Sequence, residues 1–218
     1  MLRALDLFCG AGGATRGLQQ AGFHVTGVDI KRQPRYCGND FQQADALEYA
    51  PWWLSRFDFI WASPPCQAHS ALKGLHNAKE HQDLIPQTRA LLRASGKPYV
   101  IENVIGAPLI DPFILRGDMF NLGIHGKCRL IRERLFEASF PVDVPDSVPQ
   151  PDPPVIGIYG GHYRNRRRAA GLNREAPDFT AADGRAAMQI DWMTGNELSQ
   201  AIPPAYSEFI ARQWFAQQ

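Results

Sequence analysis

The chain has 218 residues, a formal net charge of +1, 44% hydrophobic residues and 21% charged ones. That balance describes a soluble globular domain with a real core and excludes a disordered or fibrous chain. No apolar run approaches the ~20 residues of a membrane span. The opening Met1 to Asp6 runs straight into a strand pattern, with no signal-peptide layout. Cys9, Cys37, Cys66 and Cys128 are widely spaced and form no CxxC pair. A disulfide framework or a metal site is therefore not expected, and a cytoplasmic location fits. Net charge argues neither for nor against nucleic acid, but its distribution is uneven. Arg164, Arg166, Arg167, Arg168 and Arg174 crowd one stretch with no acid among them.

Leu2 to Phe8 reads as a strand ending in Cys9-Gly10-Ala11-Gly12-Gly13. Ala14 to Ala21 reads as a helix stopped by Gly22, and Phe23 to Val28 as a second strand with Asp29 at its tip. Glycines let backbone approach a ligand closely, and a helix amino end favours polar or anionic groups. Asp29 lies nineteen residues after Gly10, near the ~20 expected of an acid that grips ribose hydroxyls. A nucleoside cofactor is the functional reading, and a purely structural turn the alternative. Phe41 to Ala44 reads as a third strand. Asp45 after it either meets an adenine amino group or caps a short helix that follows.

Phe57 to Ala62 is apolar and aromatic, a buried strand cut off by Pro64-Pro65. Cys66 then stands on a rigid turn at a strand's carboxyl end, where open α/β sheets bind ligands. It is either a nucleophile or a small buried hydrophobe. Gln67 to Gln82 has no clear period and reads as a long loop of the kind that closes over a substrate. Its three histidines lack metal spacing. Asp83 to Ala94 is a helix, and Tyr99 to Ile101 a strand ending in Glu102-Asn103-Val104. Glu102 is a candidate acid on the same sheet edge as Cys66, or else an exposed strand-end carboxylate.

Arg132 and Arg134, at i and i+2, are expected on one face of a strand, holding a phosphate or a base carbonyl, or else salt-bridged. From Pro141 to Pro154 six of fourteen residues are proline, an extended connector. Val155 to Tyr159 is a strand. Gly160-Gly161-His162 with the arginines that follow suits a phosphate-hugging loop or a solvated turn. Thr194 to Glu197 is a capping box. Pro203-Pro204 ends that helix and opens the last one, whose Tyr206, Ile210 and Trp214 repeat as core contacts.

Several of these stretches together resemble the DNA cytosine-5 methyltransferase family. Asp6 to Gly13 is similar to its S-adenosylmethionine loop, Pro64-Pro65-Cys66-Gln67 to its nucleophile motif, and Glu102-Asn103-Val104 to its base-holding motif. Arg132-Glu133-Arg134 resembles the end of its QxRxR motif, with Leu130 in the glutamine position. Leu198 to Pro204 resembles the last cofactor-side motif, with Ser199-Gln200 where the family has Gly-Asn. The order is the family's, across nearly the whole chain, and the small size resembles compact orphan enzymes of phages and prophages.

The resemblance implies an α/β, Rossmann-like fold of S-adenosylmethionine-dependent methyltransferases with a small target-recognition insert. It divides the chain into a catalytic and cofactor-binding core (1–138), a target-recognition or DNA-binding region (139–187) and a C-terminal segment returning to the core (188–218). It implies a flipped-out cytosine in double-stranded DNA, attacked by Cys66 and held by Glu102, Arg132 and Arg134. The implied cofactor contacts are Phe8, Cys9, Gly10, Ala11, Gly12, Gly13, Asp29, Ile30, Asp45, Ala46, Pro65 and Ala201, for S-adenosylmethionine and its product S-adenosylhomocysteine. Gln67, Ser70, Arg164, Arg166, Arg167 and Arg168 are the implied DNA contacts. No metal and no membrane are expected, and the chain is expected to act as a monomer. The alternatives are a tRNA cytosine-5 methyltransferase, though its Cys-Phe-Thr signature is absent, and a silent nucleic-acid-binding relative. A dinucleotide oxidoreductase would carry GxGxxG, whereas Gly10, Gly12 and Gly13 give GxGG.

Overall fold

The fold, taken from a computed structural model, describes residues 1–66, 82–147, 153–166 and 177–218. Gln67, Ser70, Arg167 and Arg168, and nearly all of the expected closing loop, lie outside the described residues.

The first 62 residues alternate strand and helix, except that the third strand follows the second directly. In order they form β1 (Arg3–Leu7), α1 (Gly13–Gln20), β2 (His24–Asp29), β3 (Asp40–Gln43), α2 (Pro51–Leu54) and β4 (Phe59–Ala62). Next come α3 (Ile85–Ser95), β5 (Tyr99–Asn103), β6 (Phe113–Leu115), β7 (Gly123–Ile124), β8 (Cys128–Leu130) and β9 (Arg134–Ala138). The rest is β10 (Val155–Tyr159), β11 (His162–Asn165), α4 (Ala181–Met188), α5 (Gly195–Gln200) and α6 (Pro204–Phe215).

Seven strands form the main sheet in the order β3-β2-β1-β4-β5-β9-β6. The first five are parallel, and β9 runs antiparallel to β5. Side chains alternate across it with period two. Phe59 and Trp61 face one core, with Leu18 of α1 and Ile210 and Trp214 of α6; Ile60 and Ala62 face the other, with Leu54 and Leu92. Both faces are covered at the centre of the sheet, so β4 and β5 are buried throughout and β1 nearly so, while the edge strand β3 is largely exposed. Such a sheet offers function only at its ends.

Register decides which residues meet at the carboxyl end. Leu7 pairs with Val28 and with Ala62, and Ala62 pairs with Ile101. The glycine turn, Asp29, the Pro-Pro-Cys turn and Glu102 therefore leave the sheet side by side. The chain switches direction between β1 and β4, the position where such sheets open a crevice. Because β9 is antiparallel, its amino end, Arg134, arrives at the same edge, with Leu135 opposite Asn103.

The remaining strands form a second sheet, β11-β10-β8-β7. Glycine at 160 and 161, both with positive φ (55° and 78°), closes a two-residue hairpin between β10 and β11. The expected phosphate-hugging loop is thus corrected in part: His162 to Asn165 is a strand. Two glycines between alternating runs are a hairpin signal that could have been read. The helix Ala181–Met188 was also missed, although Thr180 and Asp183 form a reciprocal capping box at its start.

Gly17 fixes how the last helix sits. A Cβ there would stand 2.0 Å from the Pro204 carbonyl oxygen and 2.1 Å from Ser207 Oγ. Only a glycine lets α1 and α6 come so close. Among the described residues no helix is long and apolar enough to cross a membrane.

Candidate active site

One cavity of about 350 Å³ opens at the carboxyl edge of the main sheet. Its walls include the glycine turn, Asp29, Cys66, Glu102 and Arg134, closed on the far side by Ser199 to Ile202. A second hollow of about 390 Å³, lined by Arg3, Asp40 and Trp53 among others, lies at the opposite end of the strands and holds none of these groups.

The glycine turn is held open by backbone geometry. Phe8, Gly10 and Gly12 all have positive φ, and a Cβ on Gly10 would meet nothing within 4 Å. The Gly10 N–H donates to Asp29 Oδ2 at 3.0 Å, and the Lys31 N–H donates to Oδ1 at 2.8 Å. Each carboxylate oxygen keeps a lone pair for a ligand. Trp192, which the sequence did not single out, donates its indole N–H to the Ala11 carbonyl at 2.8 Å and so supports the turn from the C-terminal segment.

Asp6 stands beneath the turn, 1% exposed. It accepts a hydrogen bond from Thr15 Oγ1 at 2.5 Å through Oδ2, while Oδ1 is buried without a partner. Burial raises its pKa to about 7. An orphaned carboxylate oxygen at the cavity, a carboxylate beside an open glycine turn and a helix amino end are the donor and acceptor set for a nucleoside with a cationic end. The residues present fit such a group. Of the predicted cofactor residues, Gly12, Asp45 and Ala46 do not line the cavity. Asp45 Oδ1 accepts from the Leu47 N–H at 2.9 Å; it makes a local turn, and no helix begins until Pro51. Among the described residues no cluster could hold a metal ion.

On the opposite wall Cys66 is partly buried. Asn103 Nδ2 donates to the Pro64 carbonyl at 2.9 Å and pins the Pro-Pro turn to β5. Glu102 is buried and meets the Arg134 Nε at 3.1 Å, with Ser63 hydrogen-bonded to its carboxyl. Burial raises the Glu102 pKa against the pull of Arg134, which favours the protonated acid. The Cys66 thiol is raised by burial and then by the Glu102 charge, while Arg134 and Arg132 pull it down. Cys9 also borders the cavity, but burial pushes its thiol far above the usual range, with Asp6 and Asp29 acting in the same direction.

Arg132 and Arg134 do not share a strand face as expected. Arg132 has φ +36° and precedes β9, which starts at Arg134. The left-handed residue turns its side chain away from its neighbour's. Arg132 is 7% exposed and donates to the carbonyls of Ala201 (Nε, 2.9 Å), Ser199 (Nη2, 2.7 Å) and Ile158 (Nη1, 3.1 Å). Burial lowers its pKa to about 9. It braces the cavity wall, while Arg134 faces the cavity. Arg164 is exposed on β11 and pairs with Asp178 at 2.9 Å.

Residues 2–108 match the family model for C-5 cytosine-specific DNA methylases. Over that stretch, just under half of its length, the chain is similar to the C-5 cytosine methyltransferases. The match covers the glycine turn, Cys66 and Glu102 and stops before the arginine pair, so the rest of the chain is related through its fold. The structure is similar to a DNA modification methyltransferase encoded within an E. coli prophage, with TM-score 0.58, 14% identity and 99% of each chain covered. It is also similar to Spodoptera frugiperda DNMT2 (TM-score 0.63, 13% identity, 99% of this chain and 100% of that one) and to S. pombe Dnmt2 (0.62, 14%, 100% of each). At these identities the likeness establishes the fold. No curated protein matches the sequence.

Proposed function

We propose that this protein methylates carbon 5 of a cytosine in double-stranded DNA, taking its methyl group from S-adenosylmethionine through a covalent Cys66 adduct. The observation that carries the reading is a single cavity that holds the Cys66 thiol, the Glu102–Arg134 pair and a glycine turn closed by Asp29. S-adenosylmethionine supplies an electrophilic methyl group there. Phe8 to Ala11, Gly13 and Ile30 would hold it on one side and Pro65 and Ala201 on the other, with Asp29 at the ribose hydroxyls.

Carbon 5 of cytosine is a poor nucleophile. The Cys66 sulfur adds to carbon 6, and the electron pair of the C5–C6 double bond moves toward carbon 5, which becomes enamine-like. Glu102, whose pKa burial raises, donates its proton to ring nitrogen 3 and so neutralises the charge of the adduct. A neutral Glu102 also removes one of the two causes that raise the Cys66 pKa, so protonating the acid helps form the thiolate. Arg134 donates to the ring carbonyl oxygen. Once carbon 5 carries the methyl group, a water molecule takes its proton, the electron pair left behind re-forms the C5–C6 double bond, and the C6–S bond breaks with Cys66 leaving as thiolate. A stacked base cannot reach the cavity, so it must be flipped out, at a cost of a few kcal/mol.

DNA carrying 5-fluorocytosine tests the reading. Fluorine cannot leave as a cation, so elimination is blocked after methylation. A denaturation-resistant protein–DNA adduct is expected with S-adenosylmethionine present, absent in Cys66→Ser and retained in Cys9→Ser and Cys37→Ser. An adduct that survives Cys66→Ser sinks the mechanism. Labelled methyl groups entering tRNA and not duplex DNA would make RNA the substrate.

A further inference from the structure

The second sheet carries an exposed patch that the cavity chemistry does not use. Tyr159 pairs with His162 and Gly157 with Arg164 across the antiparallel hairpin, so these four share one face. The opposite face, with Ile156, Ile158 and Tyr163, is buried. On the open face Tyr159 is 52% exposed, and the Arg166 guanidinium lies over its ring, 6.0 Å from the centroid. Gly157 makes room for both. A Cβ there would stand 3.0 Å from Tyr159 Cε2 and 3.3 Å from Arg166 Cγ. The ring and the arginine stem therefore lie across the strand, where any larger residue would lift them off.

The patch sits beside the cavity. The Ile158 carbonyl accepts from Arg132 at 3.1 Å, and the Gly161 N–H donates to Ser199 Oγ at 2.8 Å. Ser199 lines the cavity. Tyr159 thus lies on a stretch tied at both ends to the cavity wall. It is close enough to Arg132 to raise that group's pKa against the depression from burial.

We propose that Tyr159 and Arg166 form a stacking platform for a nucleobase of the DNA strand that carries the target cytosine. The proposal rests on DNA being the substrate. Every base presents a π-face, so an aromatic ring backed by a guanidinium holds a strand without reading its sequence. A grip on phosphate alone would need only the arginine, and neither the ring nor the glycine under it.

The test compares a labelled DNA single strand with an abasic strand of equal length and charge, so no target sequence is required. The wild type should prefer the strand with bases. Tyr159→Leu should weaken that strand's binding about tenfold, from the stacking energy of one base, and leave the abasic strand and the salt dependence unchanged. Tyr159→Trp should restore the preference, and Gly157→Ala should lose part of it. Each variant should keep its melting temperature. Equal binding of both strands by Tyr159→Leu and wild type overturns the platform, as does an equal loss on both. A wild type that binds neither strand nor duplex DNA sinks the DNA reading itself. Tighter, Tyr159-dependent binding of the same sequence as RNA overturns the assignment to DNA.

Discussion

The two sheets solve different problems. The seven-stranded sheet is covered on both faces, by α1 and α6 on one side and α2 and α3 on the other, and all its candidate chemistry is at one edge. The four-stranded sheet is packed on one face, and on β10 and β11 its other face presents Tyr159, His162 and Arg164. Sheet edges in parallel folds gather a few side chains at fixed spacing, which suits bond-making. An uncovered antiparallel face offers area, which suits contact with a large partner. Arg132 joins the two, bonded to Ile158 in the small sheet and to Ser199 and Ala201 in the cavity wall.

The largest test of this division lies at the edge. Cys66→Ala should lower turnover by roughly 10⁴-fold or more, the scale for removing a nucleophile, with DNA affinity nearly kept. Iodoacetamide labelling of Cys66 should still be rising with pH at about pH 9, because burial and Glu102 hold the thiol above its usual range. A labelling plateau near neutrality would contradict that electrostatic account.

Asp6 comes next. Its folded pKa, about 7, is above the ordinary 3.8, so the folded state binds the proton more tightly. Its contribution is therefore intact below about pH 4 and is lost as pH rises to about 7, at most a few kcal/mol. Asp6→Asn should flatten the stability–pH curve in that window; an unchanged slope would show that burial does not perturb this carboxyl.

Asp29→Ala should weaken S-adenosylmethionine binding by about 1.5–3 kcal/mol in calorimetry. Unchanged affinity would remove Asp29 from the site. Gly17→Ala gains about 1 kcal/mol of helix propensity but drives a methyl into Pro204 and Ser207. A net loss near 2 kcal/mol in denaturant unfolding is expected. The smallest effect belongs to the open face: Arg166→Gln should reduce the salt dependence of DNA binding by about 0.9 log units if it meets one phosphate. A change of site preference at constant slope would make it a base reader.

Much of the edge was legible because its signals are local. Pro64-Pro65 stops β4 wherever the rest of the chain goes, and the glycines after β1 need no distant partner. Apolar runs of strand length alternating with helical stretches already pointed to an open α/β sheet, whose strand ends share an edge. What stayed hidden depended on backbone sign or on contact between distant residues. Arg132 looked like a strand residue because only its positive φ turns it from Arg134. Asn103 read as a companion of Glu102, and its bond to the Pro64 carbonyl requires β4 and β5 to be neighbours.

By itself, then, the sequence determined the strand–helix alternation, the stop signals and the residue types able to supply a nucleophile, an acid and a nucleoside site. Hydrophobic period, proline and glycine act over a few residues, so they can be read in one dimension. The tertiary structure alone decided that Glu102 is buried and paired with Arg134 and that Asp6 keeps an orphaned oxygen under the glycine turn. It also placed α6 against Gly17 and laid Tyr159 across Gly157 beside the cavity. Each of these depends on which surfaces exclude water from which groups, and that exclusion exists only after residues far apart in the chain have packed together.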